Sequence, residues 1–153
     1  MKISILTSPS LINLDLKSLT KEQVFKELAE MLLVDKRISD AKGFIGDLKI
    51  RESLGSTGIG LGIAIPHAKS SFVDSPSLVF GRSMNGIEFE SLDGEPAKLF
   101  FMIAMPESGS NMHLKALALL SRSLIHENFR NRLYKAKTNE DVIKILESID
   151  SID

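Results

Sequence analysis

The clearest pattern in the chain is a run of apolar residues spaced three and four positions apart, beginning just after Thr20. This spacing places the apolar residues on one face and predicts an α-helix over residues 21–34. Thr20 is the expected N-cap, with Gln23 three residues later as its capping-box partner. Similar spacing predicts a second helix over residues 40–53 that ends near Gly55.

The middle of the chain changes to the patterns of strands. Alternation of apolar and polar residues at 12–15 is already consistent with one short strand near the N-terminus. The continuous apolar run Leu99–Met105 is typical of a central strand covered on both faces. Further strands are predicted at 63–65, 78–80 and 87–89, with Pro66 ending the first, and tight turns are predicted at Asn85-Gly86 and Asp93-Gly94.

Helical spacing returns in the last third of the chain. It predicts helices over 111–126 with Ser110 as N-cap, 128–136, and 139–148 with Thr138 as N-cap. The expected buried stripe of the first of these helices is Leu114, Leu117, Ala118, Ser121, Leu124 and Ile125. Helices that alternate with strands predict an α/β fold, and the turns between strands predict a mixed parallel and antiparallel sheet with helices on both faces.

Composition narrows the class of protein. The chain of 153 residues suits a single domain spanning 1–153. It has no cysteine, which excludes a disulfide scaffold, a thiolate zinc site and a cysteine nucleophile. A formal net charge of -1 and few aromatic residues argue against nucleic-acid binding. No apolar run is long enough to cross a bilayer and no signal-peptide core is present, so we expect a soluble, cytoplasmic protein.

Without cysteine, histidine is the most available nucleophile near neutral pH, and the chain has three. His67 directly follows a buried strand and Pro66, just after a glycine-rich run at 55–62. The glycines would leave the imidazole uncovered and free backbone N–H groups to approach an anion. The alternative is a loop histidine that merely ends a strand, and the local pattern does not choose between the two.

Two other side chains could serve an anion at the same place. His113 falls in the first turn of the predicted 111–126 helix, where a neutral imidazole is favoured and can donate to a phosphoryl oxygen. Arg51 falls at the end of the 40–53 helix, and a guanidinium can hold a phosphoryl group with two hydrogen bonds. From spacing alone the default interpretation of each is an ordinary surface residue, and His126 is interpreted as structural or solvated.

Metal and nucleotide sites are not indicated. The histidines are 46 and 13 residues apart, which matches no local metal-binding signature. The glycine-rich run lacks the Gly-Lys-Ser/Thr ending of a P-loop, and it precedes a strand where a dinucleotide-binding loop would follow one.

The stretch from Arg51 to Ala68, RESLGSTGIGLGIAIPHA, resembles the active-site signature of type-two IIA domains. These domains belong to the fructose–mannitol branch of the bacterial phosphoenolpyruvate-dependent sugar phosphotransferase system. Glu52, Ile59-Gly60 and residues 63–68 fit the signature, whereas Leu61 stands where polar or charged residues are frequent. Two more blocks, at 89–107 and 113–122, are similar to the family, and the resemblance covers residues 3–149.

The resemblance implies a phosphoryl relay on the mixed sheet predicted above. His67 would accept a phosphoryl group from the phosphocarrier protein HPr and pass it to a IIB domain of a sugar permease, with Arg51 and His113 stabilising the group. Contact with the membrane would be only indirect, through the permease, and no metal ion, nucleotide or coenzyme is implied. The block at 89–94 favours a fructose-type component. The alternatives are a nitrogen-regulatory IIA-like phosphoprotein that signals by binding other proteins, and an interaction domain that is never phosphorylated.

Overall fold

Five α-helices and six strands form the part of the chain that the structure, a computed structural model, describes: residues 2–108 and 111–150. The helices are α1 (Lys21–Val34), α2 (Ala41–Ser53), α3 (Met112–Leu124), α4 (Glu127–Lys135) and α5 (Asn139–Glu147). The strands are β1 (Ile12–Asn13), β2 (Gly58–Gly60), β3 (Ile63–Ala64), β4 (His67–Ser70), β5 (Ser77–Ile87) and β6 (Ala97–Pro106). Within these ranges no helix is both long and apolar enough to cross a membrane.

The strands form one mixed sheet with β6 near its centre, in the order β1-β5-β6-β3-β2. β5 pairs with β6 antiparallel, whereas β3 and β4 both pair with β6 in parallel along its other edge. Residues 99–105 of β6 are all buried, which confirms the predicted central strand. One face of the sheet packs against α1 and α2 and the other against α3, α4 and α5, so the predicted α/β class with helices on both faces is confirmed.

Strands β3 and β4 lie end to end beside β6 and are separated by Ile65 and Pro66. Ala64 pairs with Phe100 and His67 with Ile103, so the register beside β6 is kept across the gap. The Pro66 carbonyl still accepts a hydrogen bond from the Ile103 N–H at 2.9 Å. β3 ends before Pro66, as predicted, but the sequence did not predict that a strand resumes at His67. The proline lacks a donor but keeps its acceptor, so the pairing with β6 can continue.

The glycine-rich run forms a hairpin. Gly60, Leu61 and Gly62 all have positive φ, at 95°, 59° and 77°, and they reverse the chain between the antiparallel strands β2 and β3. This conformation is easy for glycine and costly for leucine. The Leu61 N–H donates to the Asp93 carboxylate at 3.0 Å, which holds the leucine in place. The predicted tight turning of this segment is confirmed.

The predicted helices are present with small shifts at their ends. Thr20 caps α1 by accepting from the Gln23 N–H, but the Gln23 side chain accepts from the Leu19 N–H, so the reciprocal bond falls one residue early. Thr138 caps α5 with Asp141 in a complete capping box. The predicted cap Ser110 lies outside the described residues.

The predicted buried stripe of α3 is confirmed at Leu124 and wrong at Leu114, Ala118 and Ile125. Leu114 and Ile125 are exposed, and the helix buries Ala116, Leu119, Leu120 and Leu124. Apolar residues surround much of this helix, so spacing alone leaves its rotation about the axis open, and packing against the sheet selects the face.

The predicted Asn85-Gly86 turn is also wrong. β5 continues through this position to Ile87, which pairs with Ala97, and the register shifts between Arg82 and Ile87. Gly86, with a φ of 81°, lies in this irregularity, so the dipeptide marks a bulge in one strand. Phe89 follows the strand and is buried, whereas the predicted Asp93-Gly94 turn is present, closed by the Gly94 N–H on the Ser91 carbonyl.

Arg82 connects the sheet to the end of α4 by hydrogen bonds, so we expect its substitution to destabilise the protein. One guanidinium nitrogen donates to the carbonyls of Leu133, Tyr134 and Ala136, and Nε donates to that of Leu14. Arg82→Met should lower the free energy of unfolding by about 3 kcal/mol, because it leaves several partly buried carbonyls without a donor. Urea denaturation measures this loss, with the exposed Arg132→Met as control; equal losses in both variants would contradict the assignment.

Candidate functional site

His67 is the first residue of β4, and its ring is oriented by the backbone just before it. Nδ1 lies 2.8 Å from the Ile65 carbonyl oxygen. A carbonyl can only accept, so the hydrogen bond requires Nδ1 to carry the proton. In the neutral ring the lone pair is then on Nε2, which is the nitrogen available to a reacting group.

The three candidate residues meet at one cavity of about 420 Å³. His67 contributes from β4, Arg51 from the last turn of α2, and His113 from the first turn of α3. The remaining lining residues are Asp47, Ile50, Leu54, Ala68 and Lys69. The fold therefore brings together side chains that lie 16 and 46 residues from His67 in the sequence.

Burial keeps His67 neutral. It lowers the pKa of the imidazole, and this outweighs the hydrogen bond to Ile65, which acts in the opposite direction. The positive charge of Arg51 lowers the His67 pKa further, whereas the negative charge of Glu52 raises it. The ring is thus poised as an unprotonated nucleophile near neutral pH.

His113 is also held neutral. Burial and the charge of Lys69 lower the pKa of the His113 imidazole. Both causes favour the neutral state that we expect from the sequence. Its Nδ1 is buried and has no hydrogen-bond partner within residues 2–108 and 111–150. A neutral ring that carries its proton on Nε2 avoids burying an unsatisfied N–H and keeps a donor for an oxyanion.

Arg51 is half-buried and fixed at one end of its guanidinium. One terminal nitrogen donates to the Gly55 carbonyl at 2.8 Å, which folds the side chain back over the loop that follows α2. A guanidinium has five N–H donors, so others remain for an anion. The cation lies in the last turn of α2, where the helix dipole favours positive charge.

Two lining residues were not anticipated from the sequence. Lys69 lies two positions after His67 on β4 and so projects from the same side of the strand. Strand alternation would have identified it if residues 67–70 had been assigned to a strand. Asp47 accepts a hydrogen bond from Ser70 Oγ at 2.5 Å, a contact between α2 and β4 that no sequence pattern indicates.

Other sequence candidates lie elsewhere. Glycines 55–62 do not line the described cavity, so the expectation that they hold an anion beside the imidazole is wrong. His126 occupies the N-cap position of α4, away from the cavity. In the part of the chain that the structure describes, no three His, Asp or Glu side chains cluster closely enough to hold a metal ion.

The sheet thus presents a neutral histidine to one cavity that an arginine and a second histidine also line. The sequence matches a family profile over residues 5–149, described as "Phosphoenolpyruvate-dependent sugar phosphotransferase system, EIIA 2". The chain belongs to this family. It is a phosphotransferase component whose role is to relay phosphoryl groups.

Individual relatives support the assignment. The chain is 43% identical to a fructose-specific EIIABC component of Bacillus subtilis over 98% of its length, and spans 24% of that relative. It is 40% identical to a fructose-specific EIIA component of Haloferax volcanii, covering 96% of each chain. Its structure superposes on nitrogen regulatory protein IIA-Ntr of Neisseria meningitidis with a TM-score of 0.88 at 30% identity, covering 94% of this chain and 98% of the other.

Proposed function

We propose that the chain accepts a phosphoryl group from phosphorylated HPr on Nε2 of His67 and passes it to a IIB domain for sugar uptake. The observation that carries the proposal is the Nδ1–H hydrogen bond to the Ile65 carbonyl, which leaves Nε2 as the free nitrogen at the cavity. In the first transfer the Nε2–P bond forms as the bond between phosphorus and the donor's leaving atom breaks. In the second transfer the Nε2–P bond breaks as phosphorus bonds to the acceptor atom of the IIB domain. The proton on Nδ1 stays on the ring throughout.

Arg51 and His113 are proposed to stabilise the phosphoryl oxygens. Phosphoryl transfer depends mainly on positioning and on charge stabilisation, because little covalent work falls to the protein. A guanidinium and a neutral N–H donor meet that need at a site that two partners must enter in turn. Residues 1–153 are proposed to act as one domain, since both layers of helices share one sheet.

The rim of the cavity supports a protein as the reaction partner. Ile50 is 66% exposed and Leu54 82% exposed, and both line the cavity of His67. Large apolar side chains left open beside a reactive group are typical of a docking surface for another protein. A small-molecule site would enclose its ligand more completely.

A fructose-type transport component is the first candidate. Its support is the pair of fructose-specific relatives, one of which combines A, B and C components in its name. A nitrogen-regulatory role is the second candidate, favoured by the structural match to the Neisseria protein. We place either role in the cytoplasm, where phosphoenolpyruvate supplies the phosphoryl group, with the membrane reached only through a permease.

Phosphotransfer measured on the intact protein tests the proposal. With phosphoenolpyruvate, enzyme I and HPr, the chain should gain the mass of one phosphoryl group, and a IIB domain should then remove it. No mass gain would refute the relay. Phosphorylation without transfer to any fructose-type IIB domain would favour the regulatory candidate.

The rate of phosphorylation should depend on pH through His67. Only the neutral ring can attack, so the rate should fall as the pH drops through the His67 pKa, which burial places below its usual value of about 6.5. Single-turnover transfer measured across this range, together with an NMR titration of His67, gives both curves. Fast transfer at a pH where NMR shows a protonated His67 would contradict the proposed nucleophile.

A further inference from the structure

The carboxylate of Glu52, on α2, connects α1 to the loop that precedes β2, beside the site. One oxygen accepts from Lys21 Nζ at 2.8 Å and from the Thr57 N–H at 2.8 Å, and the other accepts from Thr57 Oγ1 at 2.7 Å. The Glu52 side chain is only 9% exposed. Burial alone would raise the pKa of Glu52, but the hydrogen bonds from Lys21 and Thr57 outweigh it and hold the pKa below its usual range. Glu52 is therefore a charged, fully engaged group.

From Thr57 a short series of hydrogen bonds leads to the His67 ring. The Thr57 carbonyl accepts from the Ile65 N–H at 3.0 Å, and the Ile65 carbonyl accepts from Nδ1–H of His67 at 2.8 Å. Both peptide groups of the series belong to buried residues. The Glu52 carboxylate thus supports the hydrogen bond that sets the His67 tautomer, through the two intervening residues Thr57 and Ile65.

The same carboxylate bears on Arg51 by a second route. Residues 54–57 form the α2–β2 loop, which runs from the end of α2 to the Thr57 that Glu52 binds. Within this loop the Gly55 N–H donates to the Glu52 carbonyl at 3.1 Å, and the Gly55 carbonyl accepts from Arg51 at 2.8 Å. Because the Glu52 carboxylate holds Thr57, it also holds the loop whose Gly55 carbonyl accepts from the Arg51 guanidinium.

We infer that Glu52 is a positioning residue for phosphoryl transfer: by fixing the α2–β2 loop it keeps Nε2 of His67 and the guanidinium of Arg51 at the same cavity. The inference rests on the proposed relay through His67. Preorganisation of this kind matters because a shift of about 1 Å in a reacting group can cost roughly 100-fold in rate. A salt bridge that only stabilised the fold would leave the His67 tautomer unchanged.

Glu90 provides a matched control. Its carboxylate also pairs with Lys21, at 3.1 Å, but the Glu90 side chain is 78% exposed and makes no described hydrogen bond to Thr57. Glu90→Ala therefore removes a negative partner of the same lysine without touching the series that reaches His67. Glu52→Gln removes only the negative charge, whereas Glu52→Ala removes the whole carboxylate group.

The experiment measures ¹⁵N NMR spectra of the unphosphorylated His67 ring and single-turnover phosphorylation by phosphorylated HPr in the four proteins. In wild type and Glu90→Ala the ring should be uniformly protonated on Nδ1. In Glu52→Ala the two tautomers should mix and the rate should fall roughly 10- to 100-fold. Glu52→Gln should lie between, because its amide oxygen can still accept from Thr57.

A folded Glu52→Ala protein with the wild-type tautomer and rate would overturn the inference. If Glu52→Ala does not fold, Glu52→Gln decides, and a wild-type tautomer and rate in that variant would overturn it equally. Failure of the relay itself is separately visible, because wild type would then gain no phosphoryl group, whereas the tautomer is read without phosphorylation.

Discussion

His67→Ala should abolish phosphorylation by phosphorylated HPr while leaving the protein folded. No other described side chain at the cavity offers an accessible lone pair on a ring nitrogen: in His113 the lone pair is on the buried Nδ1, and Lys69 is a cationic amine. Loss of the ring removes one hydrogen bond to the Ile65 carbonyl, which should cost only about 1 kcal/mol of stability. Intact-protein mass spectrometry measures phosphorylation, and far-UV circular dichroism verifies the fold.

His126→Ala serves as the control for this experiment. It removes the histidine at the N-cap position of α4, away from the cavity, and should leave phosphorylation intact. A phosphoryl group on the His67→Ala protein would show that another residue is the acceptor. Loss of phosphorylation in both variants would point instead to a general defect in docking or folding.

His113→Ala should slow phosphoryl transfer by about 10- to 1,000-fold without preventing it. The estimate follows from the cost of removing one donor that stabilises a developing oxyanion. His67 remains as acceptor, so the final extent of phosphorylation should be unchanged and only the rate should fall. Rapid-quench measurement of transfer from phosphorylated HPr, and then to a IIB domain, gives the two rates.

Lys115→Ala is the matched control for His113→Ala, since it changes an exposed residue in the same turn of α3. Its rates should equal those of wild type. Unchanged rates to and from both partners in His113→Ala would return His113 to an ordinary residue of the first turn of α3. A changed extent of phosphorylation at equal rates would also contradict a role in stabilising the transition state.

Sequence patterns predicted the fold well where burial repeats along one element. The helical spacing of α1 and the unbroken apolar run of β6 both reflect burial that local sequence records. The α3 stripe was predicted only in part, because the exposed Leu114 and Ile125 satisfy the spacing as well as the buried Leu120 does. Only packing against the sheet distinguishes the faces, and that depends on residues far away in the chain.

The sequence indicated which residues form the candidate site, but it did not indicate the contacts that hold those residues in place. The local pattern offered His67, Arg51 and His113 as candidates, and the family resemblance implied a role for each. The fold brings all three to one cavity. The contacts that orient them come from tertiary structure: Lys21 reaches Glu52 across 31 residues, and no periodicity indicates such a pairing. The strand that resumes at His67 was not predictable, because the rule about the missing proline donor says nothing of the Pro66 carbonyl, which accepts from the Ile103 N–H.

The anchoring of His67 in a strand has a kinetic consequence. A ring held by Ile65 on one side has a single approachable nitrogen, and that nitrogen opens into a single cavity. In the proposed relay, donor and acceptor proteins must therefore occupy the same place alternately, so we expect ping-pong kinetics in which each partner competitively inhibits the other. An excess of unphosphorylated acceptor would occupy the cavity unproductively and slow the flow of phosphoryl groups that it is meant to receive.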